Sequence, residues 1–179
     1  MKESLLVILV VLALASCEVK HDSSENKVTT KFEADSLERE KLRYSIINDA
    51  KQANFISEGD TTLWTPTKEQ VDQIFSLTRK SISANEDKFS RYLKADSLDN
   101  SYKQIICYVD SKGDSLVFIN GLCEIGDYPM EDSNGKLRFY RQDWQNRLIL
   151  VSDGGDCYWR AFINFSKKKV EGPFANGEA

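Results

Sequence analysis

The chain opens on a charged triplet, Met1-Lys2-Glu3, followed by an unbroken apolar run from Leu5 to Ala15. That run is about half the ~20 residues a helix needs to cross a bilayer. A charged start, a short apolar core and small residues at its end predict a secretory leader over residues 1–16 rather than a membrane span. From 18 to 31 the residues are almost all polar, with little to bury, which predicts a flexible tether. The remaining stretch, 32–179, is expected to form one domain.

Helical spacing sets in next. Leu42, Ile46, Ala50 and Ala53 recur at steps of three or four, predicting a helix over 34–54. A second helix is expected with Thr65 as N-cap and Pro66 at the first helical position, where no backbone donor is needed. Its apolar stripe is Val71, Ile74, Phe75, Thr78 and Ile82. Phe89, Tyr92 and Leu93 predict a short helical piece before a loop rich in Asp and Ser.

From Tyr102 the period changes. Residues 102–110 and 115–125 read as strands joined at Ser111-Lys112-Gly113-Asp114, a turn sequence. Residues 126–146 form a long insertion with Pro129, Asn134 and Gly135. Two more strands, 147–152 and 157–165, flank Asp153-Gly154-Gly155-Asp156. With the glycines as the turn, Ser152 faces Cys157, and one face collects Leu148, Leu150, Cys157, Trp159, Ala161, Ile163 and Phe165. Residues 169–176 predict a fifth strand, which Pro173 confines to an edge. Helices followed by antiparallel strands define an α+β domain. The expected architecture is one or two N-terminal helices on one face of a curled antiparallel sheet of four to five strands, cystatin- or monellin-like by analogy of element order.

The end of the leader changes the picture most. Leu14-Ala15-Ser16-Cys17 resembles the lipobox of bacterial lipoproteins. That resemblance implies cleavage before Cys17 and acylation of its thiol. One acyl chain holds a protein only marginally, whereas two or three make attachment effectively permanent. The expected partner through this anchor is therefore a membrane, and the expected location the cell envelope at the outer membrane. Glu18, Asp22 and Glu25 loosely resemble the acidic export signals of Bacteroidota surface lipoproteins. The C-terminal half also resembles a family of secreted proteins and lipoproteins of Bacteroidota with no established activity. The matching pieces are Trp64-Thr65-Pro66-Thr67, Ile119-Asn120-Gly121-Leu122-Cys123, Asp153-Gly154-Gly155-Asp156-Cys157-Tyr158-Trp159 and Asn176-Gly177-Glu178-Ala179. The resemblance implies lineage and fold, not an activity.

Composition narrows the chemistry. Net charge is −4 and no basic stripe is apparent, so nucleic acid is not an expected partner. The run Lys167-Lys168-Lys169 reads as a solvated turn. His21 is the only histidine and lies in the tether. The folded part therefore lacks an imidazole for general-base work, for a Ser-His or Cys-His pair, or for zinc. No catalytic residue, cofactor or metal is expected. Asp153 and Asp156 could bind Ca²⁺, but they do not follow an EF-hand pattern, and capping of a glycine turn explains them as well. Glu124, Asp127, Asp153 and Asp156 leave open a hydrolase that uses carboxylates alone. The insertion holds Tyr128, Phe139, Tyr140 and Trp144 with Arg138, Arg141 and Arg147 nearby. Aromatics interleaved with Arg suit a protein or glycan ligand, or else a lid folded over the core. The candidate binding residues are thus Tyr128, Arg138, Tyr140, Trp144, Asp153 and Asp156. A non-catalytic binding or structural module is the leading reading, with an inhibitor or immunity-type protein as the alternative.

Three cysteines remain besides Cys17. A two-residue turn at Lys112-Gly113 places Cys107 opposite Phe118. Cys123 is five residues further, hence on the other face. A Cys123–Cys157 bridge is expected, closing the insertion, with Cys107 a buried free thiol.

Overall fold

The computed structural model describes residues 43–89 and 92–177. The leader, Cys17, the tether and residues 34–42 of the first expected helix lie outside them. In chain order the elements are β1 (Tyr44–Ile46), α1 (Ala50–Ser57), β2 (Thr62–Leu63), α2 (Lys68–Ser83), β3 (Tyr102–Val109), β4 (Ser115–Leu122), β5 (Asp127–Glu131), β6 (Leu137–Arg141), β7 (Tyr158–Asn164) and β8 (Lys169–Ala175). Among the described residues this is an α+β domain with two α-helices, a mixed main sheet and a small second sheet.

β3 and β4 pair antiparallel at the centre of the main sheet, which runs β1-β3-β4-β7-β8 with β2 also on β3. Alternation sends their side chains to opposite faces, and both faces are covered. On one face, α2 packs Val71, Ile74, Phe75 and Ile82 against Ile105, Cys107, Val117, Ile119, Trp159, Ala161 and Ile163. On the other, Ile47, Ala53, Ile106, Tyr108 and Phe118 form a second cluster, joined by Ile56 of α1, Leu148 and Phe162. The helices are therefore split between the two faces, not gathered on one. This is why β3 and β4 read as continuous apolar runs rather than as clean alternations.

The α2 stripe is the predicted one: Val71, Ile74, Phe75, Thr78 and Ile82 are its buried residues. Its start lies two residues later than expected. Thr67 is the N-cap and Gln70 reaches back to the Thr67 N–H, completing a capping box. The expected 34–54 helix is corrected more deeply. Residues 44–46 form β1, parallel to β3, with Ile46 paired to Ile105. The helix starts only at Ala50, where the Asp49 carboxylate caps the N–H groups of Lys51 and Gln52. The sheet is accordingly mixed, not wholly antiparallel. Phe89, Tyr92 and Leu93, expected in a short helical piece, are not in an α-helix; a 3-10 turn at Glu86–Lys88 precedes them, and the Phe89 and Leu93 side chains are buried.

The β3–β4 register is one residue away from the expected one. A three-residue loop with Gly113 at φ 82° sets Cys107 opposite Val117, not Phe118. β8 is the predicted edge strand. Pro173 falls where the β7–β8 register shifts between Arg160 and Phe162, so its missing N–H breaks no rung. Lys167 and Lys168 lie in the β7–β8 turn, with Lys167 ion-paired to Asp114.

The expected strand 147–152 does not form, and neither does its hairpin about the glycines. β7 pairs instead with β4 and β8. Gly154 and Gly155 take positive φ, and a 3-10 turn at Gly155–Cys157 leads into β7. Of the face expected to be shared, Trp159, Ala161 and Ile163 are buried together, Leu148 joins the opposite cluster and Leu150 is exposed.

Candidate functional site

The insertion consists of two parts, an arm and a strap. The arm is the β5–β6 ribbon, paired from Asp127↔Arg141 to Glu131↔Leu137. Its turn repeats the chemistry of the β3–β4 turn. In the latter, Asp110 accepts the N–H groups of Lys112 and Asp114, with Gly113 in the left-handed region. In the arm, Asp132 accepts those of Asn134 and Lys136, with Gly135 at φ 72°. Arg138 donates to Asp132 at 2.7 Å and holds its carboxyl below the usual range, helped by those two backbone donors.

Every residue of β5 and β6 is exposed, so the arm is not a lid on the core. Its exposed apolar side chains are large: Phe139 is 68% accessible, Leu137 56% and Met130 47%. Tyr128 and Tyr140 face each other with ring centroids 6.3 Å apart. Single exposed apolar residues are ordinary, whereas five on one ten-residue ribbon form an exposed apolar surface. Leu137 and Met130 were missed in the sequence. The signal was the alternation around the Asp132-Ser133-Asn134-Gly135 turn.

The strap, residues 144–151, crosses the face of the main sheet that α1 covers. Its backbone is held by side chains rather than by another strand. Gln104 donates to the carbonyls of Trp144 and Arg147, each at 2.6 Å, and accepts from Ile149 N–H at 2.8 Å and Asn120 at 3.0 Å. Asn120 donates to Ile149 C=O, Gln52 accepts from Leu148 N–H, and Ser45 donates to Gln145 C=O. Trp144 therefore belongs to the strap and not to the arm; its ring meets Tyr102 edge-on at 5.1 Å.

Three of the six expected binding residues, Tyr128, Arg138 and Tyr140, come together on the arm. Asp153 and Asp156 do not join them. The buried Asp156 carboxylate accepts from the N–H groups of Tyr92 and Leu93, so it serves the fold, while Asp153 is exposed. Among the described residues no group of three or more metal-ligating side chains occurs. Glu124 and Asp153 both raise the Tyr158 phenol, after burial as the first cause, while Asp127 sits on the arm. The four carboxylates of the hydrolase reading are thus not one cluster.

Cys123 and Cys157 are bridged, with Cα atoms 5.1 Å apart, and close the loop that contains arm and strap. In the chain-entropy model such a loop contributes about 3–4 kcal/mol. Cys107 is a buried free thiol, which burial pushes up to about 12. The pairing is the expected one, but the expected parity argument does not hold. In the true register Cys107 pairs with Val117, six residues before Cys123, so parity does not set the two on opposite faces; about 20 Å of strand keeps them apart.

An open groove of about 560 Å³ lies beside α2, lined by residues including Asp72, Phe75, Arg79 and Asp99. Arg79 is already engaged there by Ala95 C=O and Asp99. Nearby, the Lys103 ammonium is buried, 5.5 Å from the Phe75 ring centroid, and donates to Leu98 C=O at 2.7 Å. Burial pushes it down to about 8, against the attraction of Asp99. Below pH 8 native and unfolded chains both carry this charge, and its full desolvation cost is present. Between about 8 and 10.5 the unfolded chain binds a proton the native one does not, so stability rises through that window. Lys103→Met should therefore stabilise the protein by about 1–3 kcal/mol at pH 7, since Leu98 C=O keeps Ser101 as donor. The advantage should shrink toward pH 10. Urea midpoints at both pH values check this, and a variant less stable at pH 7 would refute it.

Compared with known proteins, the chain matches no family model, no curated protein and no solved structure.

Proposed function

We propose that this chain is an envelope lipoprotein of the Bacteroidota type, anchored through Cys17, whose folded domain is a non-catalytic module that binds a protein partner through the arm. The carrying observation is the ribbon itself, with Leu137, Phe139, Met130, Tyr128 and Tyr140 all exposed. A two-stranded ribbon is marginal alone, and exposing apolar side chains on it invites aggregation. A contacting role explains why they are tolerated. The buried Cys107 thiol and the dispersed carboxylates support the non-catalytic reading. No helix among the described residues is long and apolar enough to cross a membrane, which fits attachment by lipid. A projecting ribbon also suits an inhibitor that inserts into a partner's cleft, the second reading.

A photo-crosslinking residue at position 139 of the full chain in intact cells should give an adduct of discrete mass. The same residue at position 55, which is equally exposed on α1, should not. Adducts from both positions or from neither would count against the arm. For the anchor, labelling with an alkyne fatty acid should tag the wild type and leave Cys17→Ser untagged.

A further inference from the structure

The two edges of the arm are not equivalent. Asp132 N–H bonds to Lys136 C=O, and Gln142 N–H to Gly126 C=O. In an antiparallel ladder bonded pairs alternate with unbonded ones, so 128/140 and 130/138 are the bonded pairs within the arm. The N–H and C=O groups of residues 127, 129 and 131 therefore point outward from β5. Those of 137, 139 and 141 point outward from β6. On the β5 edge the central donor is missing, because residue 129 is Pro, the usual block against strand addition. On the β6 edge nothing is missing and nothing among the described residues covers it.

The side chains along the open edge are also sorted. Leu137 and Phe139 lie on one face of β6, Lys136 and Arg138 on the other, and Arg141 ends the strand. Residues 136–141 hold three cations and no acid; Arg138 is held by Asp132 across the turn, while Lys136 and Arg141 have no ion pair among the described residues. We infer that the β6 edge is a docking site for an extended acidic segment of a partner protein, added as a third strand with apolar residues over Leu137 and Phe139, a carboxylate over Lys136 and another beside Arg141 at the strand end. This rests on the reading of the arm as the contacting element and names what it contacts. A second copy of the chain fits poorly. Pairing β6 with β6 sets cations beside cations, and the β5 edge of another copy presents Pro129. A lipid surface fits poorly too, because the outward backbone groups of 137, 139 and 141 would lose their water without gaining partners.

The test uses the full chain in neutral detergent and two fluorescein-labelled octapeptides, one alternating Glu and Val, the other Lys and Val. Anisotropy should show the Glu-Val peptide binding about tenfold or more tightly, with affinity falling as salt rises. Phe139→Pro removes an outward N–H and leaves the β5–β6 rungs intact, so the protein should melt as the wild type does. It should nonetheless lose the peptide, whereas Phe139→Thr, which keeps the N–H, should weaken binding less. Lys136→Glu, which leaves the Asp132–Arg138 ion pair in place, should abolish the preference for Glu-Val over Lys-Val. Equal affinity for both peptides, or unchanged binding by Phe139→Pro, would overturn the inference. So would saturable binding to phosphatidylglycerol vesicles, or concentration-dependent dimers, in the absence of peptide binding. If neither peptide binds while position 139 still crosslinks to a discrete partner, strand addition fails and the binding arm stands.

Discussion

Gln104→Met should lower the unfolding free energy by about 3–4 kcal/mol although it changes the side-chain volume little. The Gln104 amide is saturated: two N–H donors on two carbonyls and one oxygen accepting two donors. Methionine would leave Trp144 C=O, Arg147 C=O and Ile149 N–H without these partners beneath the strap. Such orphaned groups cost about 1–3 kcal/mol each when buried, and the sum is reduced because the strap can lift toward water. Urea unfolding measures the loss. Amide exchange should locate it, with the Leu148 and Ile149 protons exchanging much faster while α2 keeps its protection. A loss below about 1 kcal/mol would mean that water replaces the amide.

Gly121→Ala should destabilise by about 3 kcal/mol or more, the upper range for overpacking a core. Gly121 lies opposite both Lys103 and Trp159. The Trp159 indole lies across it, and an added Cβ would fall 2.0 Å from the ring. Trp159 is 1% exposed, so the ring has no open space to swing into. Trp159→Leu alone should cost about 3 kcal/mol as a cavity. Combined with Gly121→Ala, the total should be smaller than the sum of the two, because the added methyl enters the space the ring leaves. Thermal melts of the four proteins close the cycle. Additive losses would show that the backbone at 121, not the ring, is what the methyl disturbs.

Legibility in the sequence followed the physics of each element. The α2 stripe was readable because sixteen residues give the helical period several repeats. Its true start was also written there: Thr67 followed three residues later by Gln70 is a capping box, a stronger sign than Pro66. β1 was not readable. Three residues are too few to show a period, and their spacing ran smoothly into that of α1. Residues 147–152 misled because Leu148 and Leu150 alternate as in a strand, yet their backbone is served by side chains. The trace of that arrangement was Gln104 and Asn120, polar residues inside apolar strands and paired across them. The disulfide was read correctly from an incorrect register, because separation along the strand excludes Cys107 whichever face it occupies. The arm was seen only as a loop. Its turn repeats the Asp110 turn almost residue for residue, and that comparison would have exposed it.

The arm leaves the domain through a narrow gate. Gln142 N–H bonds to Gly126 C=O, and everything between those residues is the exposed ribbon. The bridge between Cys123 and Cys157 and the side chains holding the strap all lie outside that gate. Residues 127–141 therefore behave as an exchangeable cassette: their length and sequence are free to change without asking anything of the core. A lineage using this scaffold would diversify its partners by rewriting one ribbon. Among such proteins, variation in sequence and length should concentrate between Gly126 and Gln142, while Gln104, Asn120, Gly121 and Trp159 stay as they are.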